Sequence, residues 1–166
     1  MSKKKNNMPA IEIICPGQKS PSKYRGIPFP VLSETKLKSH RYPSHFQEDF
    51  DRMSGCIYHL GSPCYKGRRG GFFEAYELLS PKCLDQKSAI YLEFRREFLP
   101  SVKRILKSLL QKSPTREIVF ASDYQGSPNR PRRFDRIPLK QFWSLHRTKK
   151  LRFNALYVIS ENEGMK

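Results

Sequence analysis

Val102, Ile105, Leu106, Leu109 and Leu110 fall on one arc of a helix, with Lys103, Arg104, Lys107 and Gln111 on the opposite arc. Such an apolar stripe has to be buried against another element. Shortly after it, Glu117 to Tyr124 (EIVFASDY) alternates with period two and predicts a central strand. A helical stripe next to a pleated run calls for helices packed on a sheet.

The rest of the chain extends this pattern. AIEIIC at residues 10–15 predicts a first strand, and Ile27 to Leu32 a second, confined to a sheet edge by Pro28 and Pro30. Ser44 with Gln47 matches a capping box, followed by Phe46, Phe50 and Met53 at helical spacing and a stop at Gly55. Glu48, Asp49 and Asp51 make this the one acidic element. Three strands of a meander are then expected at Cys56 to Leu60, Phe72 to Leu79 and Ala89 to Phe94. Pro100 places the start of the basic helix at Phe98 to Ser101, and Ser113-Pro114 its end. Residues 126–136 (GSPNRPRRFDR) read as a long basic loop. Pro138 opens a last helix with Leu139, Phe142, Trp143 and His146 on one face, and Phe153 to Ser160 closes the fold as a strand. The expectation is α+β: one domain over residues 10–160, a mixed and mostly antiparallel sheet with about three packed helices. Residues 1–9 are expected to form a flexible basic arm and residues 161–166 a flexible tail.

A chain of 166 residues is long enough for a real core. Its hydrophobic share of 37% is low, but 11 Phe and 8 Tyr compensate, because aromatic side chains bury the most area each. No apolar run is long enough to span a bilayer, so no membrane insertion is expected. No apolar segment of signal-peptide type follows the charged N-terminus. Cys15, Cys56, Cys64 and Cys83 are too few and scattered for a disulfide scaffold. The expected setting is intracellular, in the cytoplasm.

Charge carries the functional argument. The chain has 32 Lys and Arg against 15 Asp and Glu, a formal +17. Self-repulsion on that scale opposes compaction and is best accounted for by a polyanionic or acidic partner. The cations come in clusters at residues 3–5, 36–41, 66–69, 103–107, 130–136 and 147–152. Phosphate contact needs cations on loops or helix faces, and base contact needs planar side chains. These requirements select Tyr65, Lys66, Arg68 and Arg69 in the glycine-rich loop 61–71, Lys103, Arg104 and Lys107 on the helix, and Arg130, Arg132, Arg133, Phe134 and Arg136 in the second basic loop. Tyr65, Phe134 and Tyr124 are the candidate stacking groups. The favoured reading is a non-enzymatic nucleic-acid-binding protein that needs no cofactor.

Other chemistries leave weaker marks. Cys56, His59 and Cys64, with Cys83 further on, match no standard zinc spacing, and residues three apart on a strand point to opposite faces. Glu74 or Glu77 followed by Asp85-Gln86-Lys87 approximates the acid and D-x-K elements of a metal-dependent nuclease, but the second acid and the lysine fall in a turn. His40, His45, His59 and His146 are dispersed, His146 reads as a packed side chain, and Asp123 is expected to pair with Arg132 or Arg133 as readily as to act. The main alternative is an antitoxin- or immunity-type protein that blocks an acidic effector protein, steered by charge complementarity.

Overall fold

The computed structural model describes residues 10–27, 31–34, 45–60, 89–124 and 129–161. Residues with alternating side chains build a six-stranded sheet from β1 (Ala10–Pro16), β2 (Val31–Glu34), β3 (Gly55–Leu60), β4 (Glu117–Asp123), β5 (Arg132–Pro138) and β6 (Ala155–Ser160). Their spatial order is β2-β3-β1-β4-β6-β5. Every neighbouring pair is antiparallel except β5 with β6, which run parallel. The fold is therefore α+β with a mixed, mostly antiparallel sheet. Three helices accompany it among the described residues: α1 (Gln47–Asp51), α2 (Ala89–Lys112) and α3 (Leu139–Arg147). None of them is long and apolar enough to cross a membrane.

The two faces of the sheet carry separate cores. Ile11, Ile13, Cys15, Tyr58, Phe120 and Tyr157 pack with the stripe of α2 and with Phe142 and Trp143 of α3. On the opposite face Ile14, Ile57, Val119, Ala121 and Leu156 pack against Phe46 and Phe50, before and within α1. The strand period puts alternate side chains on the two faces, which is why Ile13 and Ile14 join different clusters. β5, α3 and β6 form the crossover that two parallel neighbours require.

Three sequence expectations are corrected. Ala89 to Phe94 is not a strand but the first part of α2, and Pro100 lies inside that helix. Proline in a helix interior costs about 3 kcal/mol. Phe98, Val102, Ile105, Leu106, Leu109 and Leu110 are essentially fully buried, and each such side chain contributes roughly 1.5–3 kcal/mol. Burial therefore outweighs the proline. Arg96 and Pro100 are both exposed, so the Arg96 carbonyl that lost its helical partner faces the solvent side. The expected three-strand meander gives way accordingly: β3 pairs with β1 and β2, and residues 72–79 lie outside the described residues.

Residues 132–136 are not loop but strand β5, at the edge of the sheet. Its burial alternates poorly because an edge strand has one neighbour and here carries charges on its open side, a pattern that also blocks edge-to-edge pairing. Finally, α1 has Phe46 as its N-cap with no side-chain cap. Gln47 instead donates to the Asp51 carboxylate at 2.8 Å, so the expected reciprocal box does not hold it. Phe46 and Phe50 are buried and Met53 packs beside them, as their spacing predicts. The expected arm at residues 1–9, Ser44, and residues 162–166 of the expected tail lie outside the described residues.

Candidate nucleic-acid interface

Strand register defines one end of the sheet where several connections meet. Ala10 at the start of β1 pairs with Asp123 at the end of β4, Ile11 with Leu60 at the end of β3, Ser122 with Ala155 at the start of β6, and Ala155 with Arg132 at the start of β5. The segment from α3 to β6 also arrives here. This end therefore gathers Arg130 and Arg132 from the approach to β5, and Arg147, Lys149, Lys150 and Arg152 from the end of α3 and the segment after it. All are exposed except Arg152, which is half-buried.

Asn154 fastens these pieces together. Its side-chain oxygen accepts from the Tyr124 backbone N–H at 2.8 Å, its amide donates to the Asn129 carbonyl at 2.9 Å, and its own carbonyl accepts from Arg132 N–H at 2.9 Å. Ser122 adds a hydroxyl donated to the Arg152 carbonyl at 2.8 Å. Burial pushes the Tyr157 phenol up, while the charges of Arg152 and Arg132 both pull it down, so the two guanidinium groups act on one point. The Arg152 N–H donates to the same phenol oxygen at 3.2 Å.

Lys149 holds an unusual conformation in this rim. It closes α3 in the left-handed region (φ 57), where its N–H donates to His146 and the Lys150 N–H donates to Leu145. Glycine is the residue that suits such a terminus, since a side chain there costs roughly 1–2 kcal/mol. Lys149→Gly is accordingly expected to raise the unfolding free energy by about 1 kcal/mol in urea denaturation. A loss of stability would instead assign the Lys149 side chain a packing role.

The sequence-selected residues fall into distinct groups. Lys103, Arg104 and Lys107 are exposed on α2, and Lys103 Nζ lies 5.5 Å from the Trp143 ring centroid, so the basic arc of α2 borders α3. Arg130 and Arg132 belong to the rim. Arg133 is turned to the opposite face, where its guanidinium donates twice to Asp49 of α1 at 2.8 and 2.7 Å. Arg136 pairs with Glu117 at 2.6 Å. Phe134 stacks on Tyr157 at 4.6 Å and 9°, and the Arg132 guanidinium carbon sits 4.9 Å from its ring. Tyr124 meets Phe153 edge-on at 5.1 Å. Phe134 and Tyr124 thus pack against the core as well as bordering the rim. Tyr65, Lys66, Arg68 and Arg69, together with Glu74, Glu77, Asp85, Lys87, Cys64 and Cys83, lie outside the described residues.

Arg147, Lys149, Lys150 and Arg152 were absent from the selected site although they form a cluster. One signal marks them: no Asp or Glu occurs between Asp135 and Glu161, nor between Glu97 and Glu117. Among the described residues Glu12, Asp123 and Glu117 lie on the α1 side of the sheet and Glu48, Asp49 and Asp51 on α1 itself, while Glu93 and Glu97 belong to the first half of α2.

A second constellation adjoins the rim. Asp123 does not pair with Arg132 or Arg133: its carboxylate accepts from the His45 backbone N–H at 2.9 Å and faces His45 Nδ1 at 2.6 Å. Across β1, Glu12 is opposite both His59 and Ala121, with His59 Nδ1 at 3.7 Å from its carboxyl. Burial pushes the Glu12 carboxyl up to about 8, and the charge of Asp123 adds to the effect. Glu12 therefore keeps its proton at neutral pH. Cys56 and His59 lie on opposite faces, and among the described residues no three His, Cys, Asp or Glu side chains converge as metal ligands. Comparison with protein-family models, with curated proteins and with solved structures found no match to this chain.

Proposed function

We propose that this protein binds nucleic acid, gripping phosphates with the rim formed by Arg130, Arg132, Arg147, Lys149, Lys150 and Arg152. The observation that carries the reading is the gathering of these cations from two connections at one end of the sheet, four of them in the stretch from residue 136 to residue 160 that contains no acid. The basic arc of α2, with Lys103, Arg104 and Lys107, extends the same charge across the helical face. Arg133 and Arg136 are not assigned to the grip, because each is committed to a carboxylate. Phe134 and Tyr124 then act as supports for the rim and not as platforms for bases.

Fluorescence anisotropy with labelled single-stranded RNA, single-stranded DNA and duplex DNA, across a salt series, tests this. Binding is expected to persist near physiological salt for at least one form. The pair Arg132→Ala with Arg152→Ala should weaken it about tenfold and flatten the log–log salt slope by roughly 1.4 for a single strand, from about 0.7 per phosphate contact. Arg133→Ala should leave the slope unchanged. Failure of all three nucleic acids to bind at physiological salt would overturn the reading and bring an acidic protein partner forward.

A further inference from the structure

We propose that His45 and Asp123 form the base side of a metal-independent RNA-cleaving site at the edge of the cationic rim. This rests on the nucleic-acid reading above and adds a reaction to it.

His45 and Asp123 make two contacts. A carboxylate only accepts hydrogen bonds, so Nδ1, at 2.6 Å, carries the proton and Nε2 is left as the basic nitrogen. The second contact, from the His45 backbone N–H to the other carboxylate oxygen at 2.9 Å, fixes the residue as well as its ring. A base oriented by a carboxylate in this way is the recurring arrangement for removing a proton from a hydroxyl. The His45 side chain is 27% exposed while that of Asp123 is 10% exposed, so the orienting group is sheltered and the base reaches solvent. Nε2 has no hydrogen bond to a described serine, threonine or cysteine.

The hydroxyl must then come from the substrate. RNA supplies one beside each phosphate, and DNA does not. Asp123 is the last residue of β4, and Tyr124 after it is tied to Asn154 and through it to Asn129 and Arg132. Asp123 therefore holds His45 at the end of the sheet that carries the rim. In the step proposed, His45 Nε2 takes the proton of a 2′-hydroxyl and O2′ forms a bond to phosphorus. The bond from phosphorus to O5′ breaks, and O5′ takes a proton from water. The hydroxide left behind is neutralised by protonated His45. The products are a 2′,3′-cyclic phosphate and a 5′-hydroxyl, with no oxidation or reduction. Asp123 of β4 faces His45, and the other titratable groups on this side of the sheet are Glu12 of β1, His59 of β3 beside it, and Glu48 and Asp49 of α1, Asp49 being paired with Arg133.

The test uses the full chain with excess EDTA and three labelled oligonucleotides of one sequence: all-RNA, all-DNA, and DNA with a single ribonucleotide. Cleavage is followed between pH 5 and 9, and anisotropy records binding on the same molecules. Expected are cyclic-phosphate ends on RNA, a single cut at the lone ribonucleotide, and an intact all-DNA strand. His45→Gln keeps the backbone contact to Asp123 and should lower the rate at least about 100-fold with binding within twofold. Asp123→Asn should lower the rate and alter the pH profile, because the ring is no longer held in one tautomer. Asp123→Asn material that melts early is set aside, and His45→Gln then decides. RNA that binds but is not cut, or a His45→Gln protein that cuts as fast as the parent, overturns this inference alone. RNA that does not bind overturns the nucleic-acid reading with it.

Discussion

Gly55→Ala is expected to cost about 4 kcal/mol or more of stability, most of the margin of a domain at the lower end of ordinary stability. Gly55 opens β3 with φ 133, a conformation closed to side chains, and lies directly opposite Pro16 of β1. A Cβ there would stand 2.2 Å from the Cys15 carbonyl oxygen and 2.9 Å from the Gly17 nitrogen. Both are backbone atoms of the strand next to it, so no rotamer change relieves the contact. Moving β1 would also break the Gly17 N–H bond to the Ser54 carbonyl at 2.9 Å and disturb the register that puts Ile11 and Ile13 on α2. Urea denaturation monitored by circular dichroism measures it. A loss below about 1.5 kcal/mol would mean that β1 and β3 separate here at little cost.

The second large effect is pH-dependent. Glu12 is released into water on unfolding and regains its ordinary carboxyl behaviour near 4.5, whereas in the fold its pKa stands at about 8, first through burial and then through the charge of Asp123. The folded state thus holds a proton that the unfolded chain has given up. The sign follows: stability is greatest below about pH 4.5 with respect to this group and declines as pH rises through the window up to about 8. The limiting slope is about 1.4 kcal/mol per pH unit, amounting to a few kcal/mol across the window. Glu12→Gln, which resembles the protonated carboxyl, should flatten this decline and be the more stable protein at pH 8 by a few kcal/mol. Parallel urea titrations at pH 5, 6.5 and 8 decide it. Equal pH slopes for parent and variant would mean that Glu12 is ionised in the fold, with His59 at 3.7 Å as its counter-charge.

How far the sequence can be read depends on whether the signal is local. The α2 stripe, β1, β4 and β6 were legible because their side-chain period matches the face they bury. Ala89 to Phe94 was not, since a short apolar run fits a strand or a helix alike, and Pro100 mimics a boundary when the residues beyond it in fact bury enough area to carry the helix through. β5 was hidden for a different reason. Arg132, Arg133, Asp135 and Arg136 have no strand signature of their own, and pairing with β6 alone makes them a strand.

The candidate site shows the same division. Clusters of cations are visible in the sequence, but which of them stay available is not. Arg133 finds Asp49 at 84 residues' separation and Arg136 finds Glu117, whereas Arg130 and Arg132 are left at the rim. His45 and Asp123 lie 78 residues apart, and only the meeting of α1's leading segment with the end of β4 joins them. The acid-free stretch from residue 136 to residue 160 was the legible clue, and it points to the α3–β6 segment that spacing arguments passed over.

The division of acids and cations between the two sides of the sheet has a consequence of its own. Among the described residues it sets the cations of the rim against the carboxylates of α1, a charge separation that points positive toward the rim. In the field of a polyanion such a body experiences a torque before it makes contact, and it turns its rim forward while still a Debye length away. Orientation is then largely complete at first collision, so added salt slows encounter as well as loosening the finished complex.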